Sequence, residues 1–331
     1  MSEPAGAVEM REAFAEALVA LGAEEPRIIV LDNDVGLTTL SERFRDSFPE
    51  RYIDMGIAEK NLFGTAAGLA LSGFIPFPTT FAVFATRCAL DQVSISFASA
   101  NLNVKIPGHY IGGSRAGTSH IAVEDLAVFR SLPNMYVADP ADNHELRAVM
   151  RAAVATTGPV YFRVSKLAIP DVFDDRVGFA WGSGHLLRKG SDVTLFGTGM
   201  MTSMCLVAAR VLAEGGISAE VVHLGSIKPI DADLIASSAA RTGAAVTAEL
   251  ASVNGGLGSA VAEVLGERCP VPLRRIGYQD VWPHSGAIGQ ILERYRLTPR
   301  DIAEAARQAV AAGELAEPGE GRHDIASVEA V

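Results

Sequence analysis

Four side chains between residues 59 and 120 are of types that could do chemistry, although each also has an ordinary structural explanation. Glu59 opens an apolar helical run, where the helix dipole favours a carboxylate by about 0.5 kcal/mol; the alternative is a proton-exchanging acid. Phe81 and Phe84 are three residues apart, a spacing typical of core packing. His120 follows a glycine-containing loop and is either a structural hydrogen-bonding group or a catalyst. None of the four identifies a function alone.

Two glycine loops invite comparison with nucleotide-binding motifs. Gly197-Thr198-Gly199 follows a strand pattern and precedes a helix pattern, but Thr202 stands where the dinucleotide fingerprint needs glycine or alanine. Gly256-Leu257-Gly258 fails in the same way, because Val261 occupies the third position. Neither loop is a P-loop. Each is a tight strand-to-helix turn, or an anion site at a helix N-terminus.

The elements that must position these side chains alternate between strand and helix patterns, which predicts α/β domains with largely parallel sheets and helices on both faces. Helical periodicity covers residues 10–21, 59–71, 86–96, 123–131, 144–156, 200–214, 257–266 and 299–311. Strand patterns cover residues 27–31, 73–77, 104–111, 135–138, 160–164, 193–196, 220–224, 245–249 and 273–276. We predict a first domain at 8–167, a linker at 168–189, a smaller domain at 190–312 and a flexible tail at 313–331.

Composition narrows the classes of function. The 331 residues are 49% hydrophobic, enough for two cores, and the net charge of -11 argues against a nucleic-acid partner. Cys88, Cys205 and Cys269 form no C-x-x-C motif, so we expect no disulfide framework or zinc site and a cytoplasmic location. The start of the chain does not resemble a signal peptide, and the apolar stretch 62–85 contains Pro76 and Pro78, which indicates buried core and no membrane association.

The order of these residues along the chain, together with their flanking residues, indicates a family that no single residue identifies. From about residue 8 to 310 the chain resembles the pyrimidine-binding and C-terminal domains of transketolases. The matching motifs in the first half are Gly56-Ile57-Ala58-Glu59-Lys60-Asn61, Ala66-Ala67-Gly68-Leu69-Ala70, Thr80-Phe81, Leu90-Asp91-Gln92, Ser119-His120, Glu124-Asp125, Phe129-Arg130, Pro133-Asn134, Pro140-Ala141-Asp142 and Gly158-Pro159-Val160-Tyr161-Phe162-Arg163. Those in the second half are Gly197-Thr198-Gly199, Lys228-Pro229-Ile230-Asp231, Thr247-Ala248-Glu249 and Gly255-Gly256-Leu257-Gly258-Ser259-Ala260-Val261.

The resemblance implies half of an enzyme. Transketolases hold thiamine diphosphate between subunits, and a Gly-Asp-Gly motif on a separate domain binds the diphosphate and Mg²⁺. This sequence contains no Gly-Asp-Gly. The resemblance therefore implies the C-terminal subunit of a split transketolase, with an N-terminal subunit as obligatory partner, Mg²⁺ held mainly by that partner, and an α₂β₂ heterotetramer. The implied reaction, within carbohydrate metabolism, transfers a two-carbon ketol unit from a ketose to an aldehyde.

The resemblance also assigns roles to individual residues. Glu59 matches the glutamate that exchanges a proton with the aminopyrimidine ring of the cofactor, and His120 matches an active-site histidine near the substrate carbonyl, so these two are the predicted catalytic residues. Cofactor contacts are predicted for Glu59, Asp34, Ile57, Phe81, Phe84 and Arg87. Substrate contacts are predicted for His109, Arg115, His120 and Lys166.

The substrate end departs from the family pattern. Many transketolases have Gly-Glu-Asp-Gly where this chain has Gly113-Ser114-Arg115-Ala116-Gly117, so Ala116 replaces an aspartate that reads a sugar hydroxyl. A methyl group accepts no hydrogen bond, while Arg115 adds a positive charge nearby. Lys166 replaces an arginine that often grips phosphate, which keeps the charge and loses the bidentate fork. We therefore expect a non-standard sugar substrate.

Three alternatives stay open from the sequence. The β subunit of a 2-oxoacid dehydrogenase E1 has a similar length and cofactor, but Glu59-Lys60-Asn61 and the pair Phe81 and Phe84 favour transketolase. A carboligase similar to deoxyxylulose-phosphate synthase is a variant of the main interpretation. A non-catalytic regulatory subunit is disfavoured by Glu59, Phe84 and His120 but not by the Ala116 departure.

Overall fold

The computed structural model describes residues 8–113 and 116–316, and it contains two α/β units built on separate sheets. The helices are α1 Met10–Glu24, α2 Gly36–Thr39, α3 Glu42–Ser47, α4 Glu59–Leu71, α5 Ala82–Arg87, α6 Asp125–Ser131, α7 Asn143–Ala155, α8 Met201–Glu214, α9 Ala232–Thr242, α10 Leu257–Arg268, α11 Ile288–Arg294 and α12 Pro299–Ala316, with a 3₁₀ turn at Pro49–Arg51 and a π-helix at Gln92–Ser99. The strands are β1 Ile28–Asp32, β2 Tyr52–Asp54, β3 Ile75–Phe81, β4 Lys105–His109, β5 Tyr136–Ala138, β6 Val160–Val164, β7 His185–Arg188, β8 Val193–Gly197, β9 Ala219–His223, β10 Ser226–Lys228, β11 Ala245–Ser252 and β12 Leu273–Tyr278.

The first sheet has seven strands in the order β10-β5-β6-β4-β3-β1-β2. All pair in parallel except β10, which returns from the second half of the chain and runs antiparallel to β5. Strands β1, β3, β4 and β6 are buried along their whole length, because a parallel sheet covered by helices leaves neither face to water. Their carboxyl ends therefore meet at one edge, where ligands bind in open α/β sheets.

The second sheet has five strands in the order β12-β11-β8-β9-β7. Three of the four pairings are parallel, and only β7 runs antiparallel at its edge. The predicted fold class, two α/β units with largely parallel sheets, is confirmed. Among the described residues no helix combines the length and apolarity needed to cross a membrane.

Several elements differ from the sequence predictions. The helix predicted at 86–96 is replaced by α5 and the π-helix, because Phe81 still belongs to β3 and the chain turns into a helix immediately after it. Strand β7 lies inside the predicted linker 168–189, so only the part of the linker that precedes β7 is irregular. Strands β2 and β10 have three residues each, too few for a periodic signal. Helix α9 was also missed, and α12 continues four residues beyond position 312, while residues 317–331 of the predicted tail lie outside the described part of the chain.

A buried guanidinium connects the two units beneath the site. Arg163, on β6, donates hydrogen bonds to both carboxylate oxygens of Asp125 at 2.5 and 2.7 Å, and its Nη1 contacts Asp139 at 3.4 Å. The same Nη1 reaches the carbonyl oxygen of Leu250 in β11, also at 3.4 Å. Burial alone would raise the pKa of Asp125, but Arg163 and the Tyr161 hydroxyl hold it below its usual value. One charge therefore fixes the start of α6, the end of β5 and a strand of the second sheet.

Replacing this guanidinium should destabilise the whole chain. We expect Arg163→Met to lower the free energy of unfolding by about 3–5 kcal/mol, because it leaves two carboxylates buried without a counter-charge. Arg163→Lys should lower the free energy of unfolding by less, since lysine keeps the positive charge even though it loses the bidentate geometry of the guanidinium. Urea unfolding followed by circular dichroism at fixed chain concentration measures both. Arg176→Met breaks an exposed pair with Asp174 and serves as the control, so an equal shift in both midpoints would contradict the assignment.

Candidate active site

The carboxyl ends of four parallel strands bring the predicted site residues Asp34, Phe81 and Lys166 to one edge of the first sheet, together with Asn33 and Tyr110. Asn33 and Asp34 follow β1, Phe81 ends β3, Tyr110 follows β4, and Lys166 lies two residues beyond β6. Because β6, β4, β3 and β1 are consecutive neighbours in the sheet, their ends form a continuous row. Helix α4, which begins at Glu59, contacts both β1 and β3.

Glu59 is held at this edge by a residue that the sequence analysis did not single out. The Asn33 side-chain amide donates a hydrogen bond to Oε1 of Glu59 at 3.1 Å. Asn33 is 2% exposed, and its Oδ1 has no hydrogen-bond partner among the described residues. The loop is fixed by Asp32, whose carboxylate accepts from Ser41 Oγ and from the Val35 amide, each at 2.8 Å. Glu59 itself is half-buried, so one face of its carboxyl group meets solvent.

Four rings form a cluster at the same edge of the sheet. The Phe81 and Phe84 rings stack with centroids 5.6 Å apart, and Tyr110 packs on Phe81 at 4.4 Å. The His120 ring stands edge-on to Phe84 at 5.6 Å and to Phe81 at 6.1 Å. Ser119 Oγ lies 2.8 Å from Nδ1 of His120, which leaves Nε2 for a ligand. The structure thus brings Phe81, Phe84 and His120 together, as the resemblance implies.

Arg87 has a different environment from the one predicted. Its Nε donates to Glu124 at 2.6 Å, and its Nη1 donates to the Thr118 carbonyl oxygen at 2.9 Å. These contacts tie α5 to both ends of the loop that carries His120. Within this chain the guanidinium is therefore occupied in positioning that loop, and a direct contact with the cofactor stays a prediction.

A cavity of about 410 Å³ opens beside the aromatic cluster. Tyr110, Ala116, Ser165 and Lys166 line one part of it, and its remaining lining includes residues of the second unit. Lys166 Nζ lies 2.8 Å from the Tyr110 hydroxyl and 5.0 Å from the centre of that ring. The ammonium group is thus held at the wall of the cavity, where it can meet an anionic part of a ligand.

The remaining predicted residues have mixed outcomes. His109 is 3% exposed and packs edge-on against Phe14, and burial lowers its pKa to about 3, so its neutral ring lies in the core of this chain and a direct substrate contact stays a prediction. Asp34 lies at the site edge with a left-handed backbone, φ 63°. Ile57 is 80% exposed just before α4. Arg115 lies outside the described residues.

The sequence analysis missed Asn33 and Tyr110, although both stand at strand ends. Asn33 lies between two aspartates directly after an apolar strand, and Tyr110 follows His109 at the end of another. Their position at the carboxyl edge of a parallel sheet was the available signal. Glu124 belongs to the motif Glu124-Asp125, and nothing in its spacing links it to Arg87.

These groups suit a flat, nitrogen-containing ring. Phe81 and Phe84 offer an aromatic wall, Glu59 offers a carboxylate, and Oδ1 of Asn33 offers a buried acceptor for an N–H group. An aminopyrimidine has both the face and the donors that such a site requires. For a metal ion the described residues provide no group of three or more His, Cys, Asp or Glu side chains.

Comparison with known proteins agrees with this geometry. Residues 6–171 match the transketolase pyrimidine-binding domain, and residues 182–302 match the transketolase C-terminal domain. The chain is 42% identical over 301 residues to a 6-deoxy-6-sulfo-D-fructose transketolase subunit, SqwH, from Clostridium sp. (strain MSTE9), covering 90% of this chain and 94% of that one. It is 34% identical over 309 residues to one of the subunits of an apulose-4-phosphate transketolase from Phocaeicola vulgatus, covering 92% and 98%.

Solved structures give the same answer. A split-gene transketolase, described as an inactive β4 tetramer, superposes with a TM-score of 0.86 at 47% identity and covers 92% of this chain and 99% of that chain. A transketolase from Pichia stipitis in complex with sedoheptulose 7-phosphate has the same fold at 22% identity and a TM-score of 0.77, with this chain spanning 47% of its length. With both domain matches and near-complete coverage of split subunits, the chain belongs to the transketolase family, as the C-terminal subunit of a split transketolase.

Proposed function

We propose that this chain, together with an N-terminal subunit, transfers a two-carbon ketol unit from a ketose donor to an aldehyde acceptor. The observation that carries the proposal is the Asn33–Glu59 pair at the strand ends, beside the ring cluster of Phe81, Phe84 and His120. The 42% identity to a transketolase subunit supports this reaction over that of an E1 β subunit.

In the proposed mechanism this chain orients the cofactor ring and the substrate and supplies protons to them. When bound, thiamine diphosphate supplies the carbon centre that carries the ketol unit. Glu59 would hold a proton at the pyrimidine nitrogen, while Asn33 would keep the carboxylate in position through its side-chain amide. Phe84 and Phe81 keep the ring in place. His120, oriented by Ser119, donates a hydrogen bond to the substrate oxygen as negative charge develops there.

The proposed partner supplies the remaining grip on the cofactor. A Gly-Asp-Gly motif and the Mg²⁺ ion belong in this proposal to the N-terminal subunit, in an α₂β₂ assembly. Two apolar side chains beside the site support a protein partner there, since Leu37 is 77% and Ile57 is 80% exposed in the isolated chain. The related β4 tetramer is described as inactive, which suits a chain that needs its partner.

The proposed substrate is a sugar other than an ordinary pentose phosphate. The Ala116 side chain, at the cavity wall, offers no acceptor to a sugar hydroxyl, and Lys166 offers a charge without a fork. Two related subunits are named for transketolases of 6-deoxy-6-sulfo-D-fructose and of apulose 4-phosphate, which supports a modified sugar here. We propose a cytoplasmic location, supported by the free thiols of Cys88, Cys205 and Cys269.

Removing the Glu59 carboxylate tests the catalytic proposal. We expect Glu59→Ala to lower kcat of the assembled complex by about 10²–10⁴-fold, because proton exchange with the cofactor is lost while the apolar interface stays. Product formation measures kcat, and gel filtration checks assembly. Glu267→Ala, an exposed carboxylate on α10, is the control. Unaltered product formation by Glu59→Ala would remove Glu59 from the mechanism and favour a non-catalytic subunit.

Cofactor binding tests the division of the site between two chains. We expect the lone chain to bind thiamine diphosphate at least about 100-fold more weakly than the assembled pair, because the diphosphate and Mg²⁺ contacts are missing. Isothermal titration calorimetry with and without EDTA measures both affinities. Tight, EDTA-insensitive binding by the lone chain is the result that would refute the split site.

Restoring the missing acceptor tests the substrate proposal. We expect Ala116→Asp to raise kcat/KM for xylulose 5-phosphate by about 10- to 100-fold, since a carboxylate accepting a hydrogen bond contributes roughly 1.5–3 kcal/mol. Ala116→Leu, which adds bulk without an acceptor, should give no such gain. If the unmodified pair already converts xylulose 5-phosphate and ribose 5-phosphate as readily as an ordinary transketolase, the non-standard substrate is excluded.

A further inference from the structure

We propose that the second unit builds the outer wall of the substrate cavity, and that Ala287 and Ile288 on that wall set how long a sugar the site accepts. Both residues are far along the sequence from the predicted catalytic residues Glu59 and His120. The inference rests on the proposed function, because it assigns the cavity to the sugar substrate. It also requires that the wall be held firmly against the first unit, and two sets of contacts do this.

The loop that carries His120 is anchored in the core of the second unit. Ile121 and Val123 are buried in the same apolar cluster as residues of α8, β11 and α12. The Val123 carbonyl oxygen accepts a hydrogen bond from the Ser252 amide at 2.7 Å, which joins the end of β11 to this loop. Before the loop begins, Tyr278 Oη donates to the Gly112 carbonyl oxygen at 2.5 Å. The chain is therefore bonded to the second unit both before the loop, at Gly112, and near its end, at Val123.

A segment of the second unit covers the same loop from outside. The Trp282 ring lies 4.6 Å from the guanidinium carbon of Arg87, and the Pro283 carbonyl oxygen accepts from the Thr118 hydroxyl at 3.1 Å. Gly117 has a φ of +73°, and a Cβ atom added there would lie 2.5 Å from Ser285 Oγ. Only glycine therefore allows this close approach without a shift. The segment and the loop form one packed layer.

The cavity lies between this layer and the ends of the strands. Tyr110 and Lys166 form its inner wall, and Gly286, Ala287 and Ile288 form part of its outer wall. The inner wall continues directly from the ring cluster, because Tyr110 packs on Phe81 at 4.4 Å. A sugar that reacts beside His120 and extends toward Lys166 must then pass along Ala287 and Ile288. The small side chain of Ala287, just before α11, leaves that path open.

Bulk at position 287 should shorten the accepted chain. We expect Ala287→Phe in the assembled complex to lower kcat/KM for four- and five-carbon aldehydes by at least about tenfold, mainly through KM, because the ring fills space needed by the distal carbons. Glycolaldehyde, with two carbons, should change by less than about twofold. Ala240→Phe, at an exposed position on α9 remote from the cavity, is the matched control. Equal losses for all aldehydes, or no loss for any, would overturn the proposal.

A binding measurement separates this inference from the proposed function. Xylitol 5-phosphate has five carbons and no carbonyl group, so its calorimetric dissociation constant depends on the cavity and not on turnover. We expect Ala287→Phe to weaken its binding by at least about tenfold and Ala240→Phe to leave it unchanged. If Ala287→Phe weakens binding but the complex transfers no ketol unit, the proposed reaction is rejected and the role of Ala287 in the cavity wall is supported. If the wild type and Ala287→Phe bind xylitol 5-phosphate equally in an active complex, or if the wild type does not bind it, the proposed cavity wall is rejected.

Discussion

The arrangement of the site depends on one buried positive charge. Arg163 neutralises Asp125 at the start of α6 and contacts Asp139 beyond β5, while also reaching a backbone oxygen of the second sheet. Separating a buried guanidinium from its carboxylate partners leaves uncompensated charge in the interior, so these elements have little freedom to move apart. The loop carrying His120 enters α6 directly, and its position follows from this network.

Two kinds of support hold the two halves of the site. The half proposed to exchange a proton consists of Asn33, which follows β1, and Glu59, which begins α4, and both elements belong to the first unit. The half proposed to meet the substrate includes His120, on a loop whose Ile121 and Val123 are packed into the second unit. The two proposed catalytic residues, Glu59 and His120, are thus supported by different parts of the fold, and we expect that a change in the second unit can alter the cavity without moving Glu59.

The apolar interior of the chain differs from the surface beside the site. Within the described residues, three clusters of buried apolar side chains join the strands to the helices that cover them. Around the site the situation differs, since Leu37 and Ile57 are left exposed beside Glu59. Covering those side chains gains free energy by removing apolar surface from water, which couples assembly to completion of the proposed cofactor site.

The sequence by itself determined the α/β class and most of the long strands and helices, because apolar periodicity is a local signal. Its resemblance to transketolases predicted Glu59, Phe81, Phe84 and His120 as site residues. Only the tertiary structure decided that His109 lies in the core, that Arg87 binds Glu124, and that Asn33 holds Glu59. Those outcomes depend on strand order and on which face of each strand is turned inward. The contact between Thr118 and Pro283 joins residues 165 positions apart in the sequence. Local patterns in the sequence do not predict a contact at that separation. Only the packing of the two units against each other places residues of the second unit in the wall of the cavity.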